Sequence, residues 1–261
     1  MTGERIAAAE QMLSLSGAVA LITGGGGGIG GAICHTLAAL GASVYVTDVD
    51  LGGAEQVANA IVGAGGSAHA LALDVTDAAA CERAVAALVA AEGGLQILVA
   101  CAGWTEHSKL IEEDPAYWRR VTDVCYLGTV HPCVAAMRAM IAGGVGGRII
   151  TIGSEAGRLG NAGEALYAGA KAGIVGFTKS LAREGARHEI LANVVSPGLV
   201  DTQLVRSIDP SATAKMANAA ALRRLAEPSE VAAAVAFFAA PCASFITGEV
   251  LSVSGGLAMV G

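Results

Sequence analysis

From Ala18 onward, short runs of Val, Ile, Leu and Thr alternate with longer Ala-rich stretches, and no Pro/Ser linker or internal repeat interrupts the rhythm. The short runs predict strands at Val19 to Thr23, Ser43 to Thr47, Ala68 to Ala72, Ile97 to Cys101, Gly147 to Ile152, Leu191 to Val195 and Val250 to Val253. Several are apolar throughout, as strands covered on both faces are. The longer stretches predict helices at Gly30 to Leu40, Gly52 to Ala64, Asp77 to Glu92, Pro115 to Ala142, Leu166 to Arg187 and Pro228 to Ala239. Asp77 suits a helix start, and Gly41, Gly65 and Gly143 fall where helices should stop. Strands alternating with helices imply one α/β domain, a doubly wound parallel sheet of about seven strands with helices on both faces. Residues 18–261 form that domain on this reading, and residues 1–17 an N-terminal extension.

Composition narrows the class. The 261 residues include 55 Ala and 36 Gly, suited to close packing of helices on a sheet, and 54% are hydrophobic against 15% charged. Such a chain buries a sizeable core and is not intrinsically disordered. The net charge of −7, with Lys and Arg scattered singly, offers no basic stripe for nucleic acid. The apolar run Val231 to Ala240 is short of the roughly 20 residues that cross a bilayer. The first sixteen residues lack the pattern of a secretory signal, so the expectation is a cytoplasmic protein with no membrane partner. Six cysteines show no metal-ligand spacing and read as reduced, buried thiols.

The first strand runs straight into Gly24 to Gly28, Ile29 and Gly30, then into a helix. Residues without a Cβ let the backbone approach a diphosphate, whose charge then faces the free N–H groups at the helix start. Asp48 ends the second strand 18 residues past Gly30, where a carboxylate accepts both ribose hydroxyls of an adenosine and repels a 2′-phosphate. No Lys or Arg stands in the glycine turn, so NAD is expected over NADP. The plainer reading of Asp48 is a turn residue. Asp74, before Val75, suits either an adenine amino group or a turn or helix cap.

Tyr167 and Lys171 are four apart in a helical segment and share one face. A phenol is a poor base at neutral pH unless a positive charge stands next to it. Ser154 lies thirteen residues before Tyr167, just past an apolar strand, at the sheet edge where α/β proteins gather ligands. With these residues the chain resembles the short-chain dehydrogenase/reductase family, in order and over nearly its whole length. The matching positions are Thr23-Gly24 with Gly28-Ile29-Gly30, Asp48, Asp74-Val75, Ala102-Gly103, Ser154, Tyr167 with Lys171, Asn193, Pro197-Gly198 with Thr202, and Thr247-Gly248 to Gly255-Gly256. The resemblance implies a Rossmann-like fold and an NAD(H)-dependent exchange of a secondary alcohol with a ketone. Tyr167 would be the general acid/base, Ser154 would hold the substrate oxygen, and Lys171 would bind the nicotinamide ribose. Pro197, Gly198, the backbone of Val200 and Thr202 would meet the carboxamide. It also implies a homotetramer paired through the Tyr167 helix, whose Gly/Ala-rich face suits close helix packing.

The chain departs from the family pattern in two segments. Ala100-Cys101-Ala102-Gly103 stands where the family usually has Asn-Asn-Ala-Gly, and Cys125 where it has the Asn whose main-chain carbonyl holds a relay water leading to the Lys. A carbonyl exists whatever the side chain, so Cys125 is expected to keep the relay while relaxing the helix there. These losses motivate a rival reading, a non-catalytic NAD(H)-binding sensor or scaffold, which would have no need of the Ser154, Tyr167, Lys171 trio. A thiol-based role for Cys101 and Cys125 is a further alternative without a supporting base. Residues 203–226, with Arg206, Pro210, Lys215 and Met216, are expected to close over the substrate, and Trp104, Thr105, Glu155, Leu159, Asn161 and Glu164 to line its pocket. Trp104 reads equally well as a core or interface residue.

Overall fold

A computed structural model describes residues 11–202, 205 and 210–259. The sheet has seven strands, β1 (Val19–Thr23), β2 (Ser43–Asp48), β3 (Ser67–Ala72), β4 (Ile97–Ala100), β5 (Gly147–Ile152), β6 (Ile190–Pro197) and β7 (Val250–Val253). All pairs are parallel, in the order β3-β2-β1-β4-β5-β6-β7. The order reverses between β1 and β4, which opens a crevice at their carboxyl ends. This is the doubly wound, Rossmann-like architecture expected.

Alternation along β1 explains the two cores. Ile22 faces one side with Val46, Val99 and Ile150, covered by α1 (Gly28–Ala39), α2 (Leu51–Gly63) and α9 (Pro228–Ala239). Leu21 faces the other with Leu98 and Ile149, covered by α3 (Ala78–Glu92), α5 (Gly128–Gly143) and α7 (Ala165–Gly185). Each such side chain contributes about 1.5–3 kcal/mol on burial. Asp50 and Asp77 cap α2 and α3 by accepting from the N–H groups of Gly52 and Ala80. Leu15, which the sequence reading leaves in the extension, is buried in the first core, and its N–H donates to the Leu40 carbonyl.

The expected helix from Pro115 to Ala142 is not one regular helix. It runs as α4 (Pro115–Val121), a widened π turn over Thr122–Leu127, and then α5. In that turn the Gly128 N–H reaches back five residues to the Asp123 carbonyl. Pro132, inside α5, has no N–H to offer the turn before it. By length and composition alone the run Pro115–Gly143 qualifies to cross a membrane, yet Cys133, Ala136 and Met140 pack into the second core. Among the described residues, two helices escape the strand-helix rhythm: α6 (Ala156–Leu159) and α8 (Pro210–Ala219). Residues 203, 204 and 206–209, Arg206 among them, lie outside the described residues, as do the side chains of Pro210 and Met216.

Candidate active site

At Gly24 and Gly30 the glycine turn is packed too closely for side chains, which leaves a bare backbone that a phosphate-bearing ligand could approach. A Cβ on Gly30 would fall 2.0 Å from the Gly24 carbonyl oxygen. Gly24 itself has φ +66°, and a Cβ there would sit 2.8 Å from the Ala102 Cα. Gly28, Ile29 and Gly30 form the first turn of α1, where N–H groups have no partner within the helix and carry its positive end. Thr23, 1% exposed, ties the next strand to this turn: its Oγ1 accepts from the N–H groups of Cys101 (3.1 Å) and Ala102 (3.2 Å). Ala102 and Gly103 thus lie alongside Gly24.

Asp48 stands at the end of β2 as expected. Its Oδ2 accepts from the Gly26 N–H (3.0 Å) and its Oδ1 from the Asp50 N–H (3.0 Å). The carboxylate therefore both shapes the glycine turn and brings negative charge to its rim. Asp74 is in an Asx turn, accepting from the N–H and Oγ1 of Thr76. Val75 is buried, and its carbonyl accepts a hydrogen bond from Nδ1 of His131 (2.8 Å). Ala100 is 1% exposed and its methyl packs in the second core, so of that segment only the residues after it reach the crevice.

At the carboxyl edge of β5, the Ser154 Oγ accepts from the Ala156 N–H (3.2 Å). Tyr167, half-buried, and Lys171, 3% exposed, occupy successive turns of α7. The Lys171 ammonium donates to the Ile152 carbonyl at 2.8 Å and lies 5.6 Å from the centre of the Tyr167 ring. A buried cation so anchored cannot swing away from the phenol. A Cβ on Gly103 would be 3.6 Å from the same ammonium, which brings the end of β4 to this point too. Among the described residues, no group of three or more His, Cys, Asp or Glu side chains could hold a metal ion.

On the far side, the Gly198 N–H donates to the Val253 carbonyl, and Val200 bridges to Ala226. A Cβ on Gly28 would lie 3.6 Å from the Thr202 methyl, so this turn closes against the glycine turn. Asn193 serves the frame: its Nδ2 donates to the Ile246 carbonyl (2.9 Å) and its Oδ1 accepts from the Glu249 N–H (3.0 Å). Glu155 does not line an open pocket as expected. It is 1% exposed because its side chain turns inward and pairs with Arg158 at 3.3 Å. Burial pushes the Cys101 thiol up to about 11, which leaves it protonated and unreactive at neutral pH.

Contacts that the sequence did not announce surround Trp104. The Cys125 Sγ donates to the Trp104 carbonyl (3.0 Å) and accepts from its N–H (3.4 Å). The Arg120 guanidinium lies 3.8 Å from the centre of the Trp104 ring, and the Tyr117 ring is 5.5 Å away. Only a Cys and a Trp 21 residues apart mark this in the sequence, a spacing with no local meaning.

Comparison with known proteins agrees with this geometry. Residues 24–258 match the family model described as enoyl-(acyl carrier protein) reductase. The chain is 41% identical over 248 residues to the 3-oxoacyl-(acyl-carrier-protein) reductase FabG of Salmonella typhimurium, covering 95% of this chain and all of that one. It is 42% identical over 247 residues to the cis-4-hydroxycyclohexanecarboxylate dehydrogenase of Sinomonas cyclohexanicum, covering 93% and 97%. Among solved structures, a short-chain type dehydrogenase/reductase from Mycobacterium marinum superposes with a TM-score of 0.91 at 31% identity, covering 96% and 99%. The glycine turn, the Ser154, Tyr167, Lys171 trio and these full-length matches together make the chain an oxidoreductase of the short-chain dehydrogenase/reductase family.

Proposed function

We propose that the protein interconverts a secondary alcohol and a ketone with NAD(H) as its cofactor. The observation that carries this reading is the Lys171 ammonium, buried and tied to the Ile152 carbonyl one turn from Tyr167. A bound nicotinamide supplies the acceptor or donor of hydride. The chain's residues supply the rest. The Ser154 hydroxyl holds the substrate oxygen, and Tyr167 takes the proton of the alcohol or returns it to the ketone oxygen. Lys171 places fixed positive charge beside the phenol and reaches the ribose hydroxyls. Gly24, Gly28, Ile29 and Gly30 receive the diphosphate, Asp48 the adenosine ribose, and Asp74-Val75 the adenine. Ala102, Gly103, Pro197, Gly198, Val200 and Thr202 flank the nicotinamide half. The Cys125 carbonyl, which accepts from Thr129 Oγ1 at 3.0 Å, keeps a second lone pair for a relay water.

Asp48 supports NAD over NADP, since its carboxylate stands at the rim with no Lys or Arg in the turn to offset a 2′-phosphate. The substrate is a small to medium alcohol or ketone with polar substituents. The α7 face of Gly169, Gly173 and Gly176 supports pairing into a homotetramer, and six free cysteines support a reducing cytoplasm. The test is nicotinamide absorbance against a panel of secondary alcohols, hydroxy acids and ketones with both cofactors. Tyr167→Phe is expected to lower kcat by at least about a hundredfold while NAD binding persists. Turnover that survives this substitution overturns the proposal.

A further inference from the structure

We infer that His131 is a positioning residue for the adenine end of the cofactor: its imidazole holds the peptide between Val75 and Thr76 in the orientation that anchors the Asp74 carboxylate. The inference deepens the cofactor reading above and rests on it for the consequence in binding, while the clamp itself belongs to the chain alone.

The segment after β3 has no ladder to hold it. β3 ends at Ala72, and the Leu73 N–H, which donates to the Asp48 carbonyl at 2.8 Å, makes the last bond to β2. The peptide that joins Val75 to Thr76 carries a carbonyl on one side and an N–H on the other, pointing in opposite directions across one rigid plane. Nδ1 of His131 donates to that carbonyl at 2.8 Å, and Asp74 Oδ1 accepts from that N–H at 2.9 Å. Side chains therefore grip the plane at both ends, one from α5 and one from the turn itself. Rotating the plane breaks both bonds together. The other bond to Asp74 Oδ1, from Thr76 Oγ1 at 2.7 Å, comes from the residue that would turn with it.

Gly128 and His131 are three apart in α5 and share a face. A Cβ on Gly128 would fall 2.6 Å from Val75 Cγ2, so the helix backbone receives the Val75 side chain while the imidazole one turn on takes its carbonyl. Val75 is 7% exposed and packs with Leu73, Cys81 and Ala84, and Ala102 rests on the same cluster. The Cys81 thiol stands 3.9 Å from the Val75 carbonyl oxygen, a long contact even for sulfur, so the imidazole makes the short bond to it. With Oδ1 committed to Thr76, Asp74 offers Oδ2 as an acceptor. An amino group on a purine can donate to it and a ring carbonyl in the same place cannot, so a fixed Asp74 makes the pocket choose adenine over hypoxanthine.

The test compares the full-length protein with its His131→Phe and His131→Asn variants, using NADH and its hypoxanthine analogue, which has a carbonyl where adenine has its amino group. Phe keeps a ring without a donor, whereas the Asn amide brings an N–H close to the place of Nδ1. The parent is expected to bind NADH about tenfold more tightly than the analogue, the scale of one hydrogen bond to a charged group. In His131→Phe this preference should fall to within about twofold, with kcat within about twofold of the parent at saturating NADH. Affinity for reduced nicotinamide mononucleotide, which lacks the adenosine half, should not change, and His131→Asn should restore the preference. Without cofactor, amide hydrogen exchange over residues 73–77 should run about tenfold faster in His131→Phe and at the parent rate in His131→Asn. His131→Ala carries the same expectations as His131→Phe if the larger ring does not pack. A preference that survives in the variants without a donor overturns the inference, whatever the exchange rates. A parent that binds both dinucleotides equally overturns it too and assigns Asp74 to its turn alone, leaving the oxidoreductase reading in place. A parent that binds neither sinks that reading and the adenine role with it.

Discussion

Thr23→Val removes one hydroxyl and keeps the side-chain volume, so its effect isolates the two hydrogen bonds made by Thr23 Oγ1. The bonds are those from the Cys101 and Ala102 N–H groups, at 3.1 and 3.2 Å. A buried amide left without a partner costs about 1–3 kcal/mol. Cys101 and Ala102 are half-buried, so water recovers part of the loss, and the expected cost is about 2–4 kcal/mol. At about 2–4 °C per kcal/mol for a chain of this size, the melting temperature should drop by about 5–15 °C. The Gly24 backbone touches that of Ala102, so NAD affinity should fall with stability, by about tenfold. Denaturant unfolding and a titration with NAD measure the two effects on one preparation, and Thr23→Ser should retain both properties. A stability loss below about 0.5 kcal/mol with unchanged NAD affinity refutes the claim that this hydroxyl holds the cradle together.

Asp48→Ser should reduce the preference for NAD over NADP by at least about tenfold, read as the ratio of kcat/KM for the two cofactors, because the repelling charge is gone. An unchanged ratio assigns Asp48 to the turn alone. The Arg224 guanidinium, aided by the Glu227 N–H, holds the Glu230 carboxyl down to about 2. A folded value below the ordinary 4.5 means the pair adds stability above about pH 4.5 and loses it as pH falls toward about 2. Arg224→Met should flatten that acid limb of a melting-temperature profile, and an unaltered limb contradicts the pairing. Cys101, with its thiol near 11, should resist alkylation at neutral pH in the folded protein and react only on unfolding, as followed by mass spectrometry.

β1, β4, β5 and β6 were legible because both their faces are buried, so hydrophobicity alone marks them. β1, β5 and β7 have the same ends in sequence and structure, and β2 gains only Asp48. The placement of the trio was legible because two of its members share a helix face and the third follows a strand. Other features depend on distant partners. The break in the long helix left Gly128 and Pro132, four residues apart, as its traces in the sequence. Glu155 read as a pocket residue, but its side chain turns inward to pair with Arg158, a contact that its own position in the chain does not mark. The grip of Cys125 on Trp104 follows from tertiary packing, which no spacing along the chain encodes.

The two bonds of Asn193 bear on how the chain finishes folding. β7 is separated from its neighbour β6 by more than fifty residues, and a parallel pair of that kind must close a long excursion of chain before any ladder bond forms. Such pairing is prone to slip, and a slip by one residue would turn every β7 side chain to the wrong face. With both ends of one amide committed to Ile246 and Glu249, a misaligned strand forfeits two bonds at once. The register of β7 is therefore indexed by a single side chain on its neighbour as well as by its own ladder.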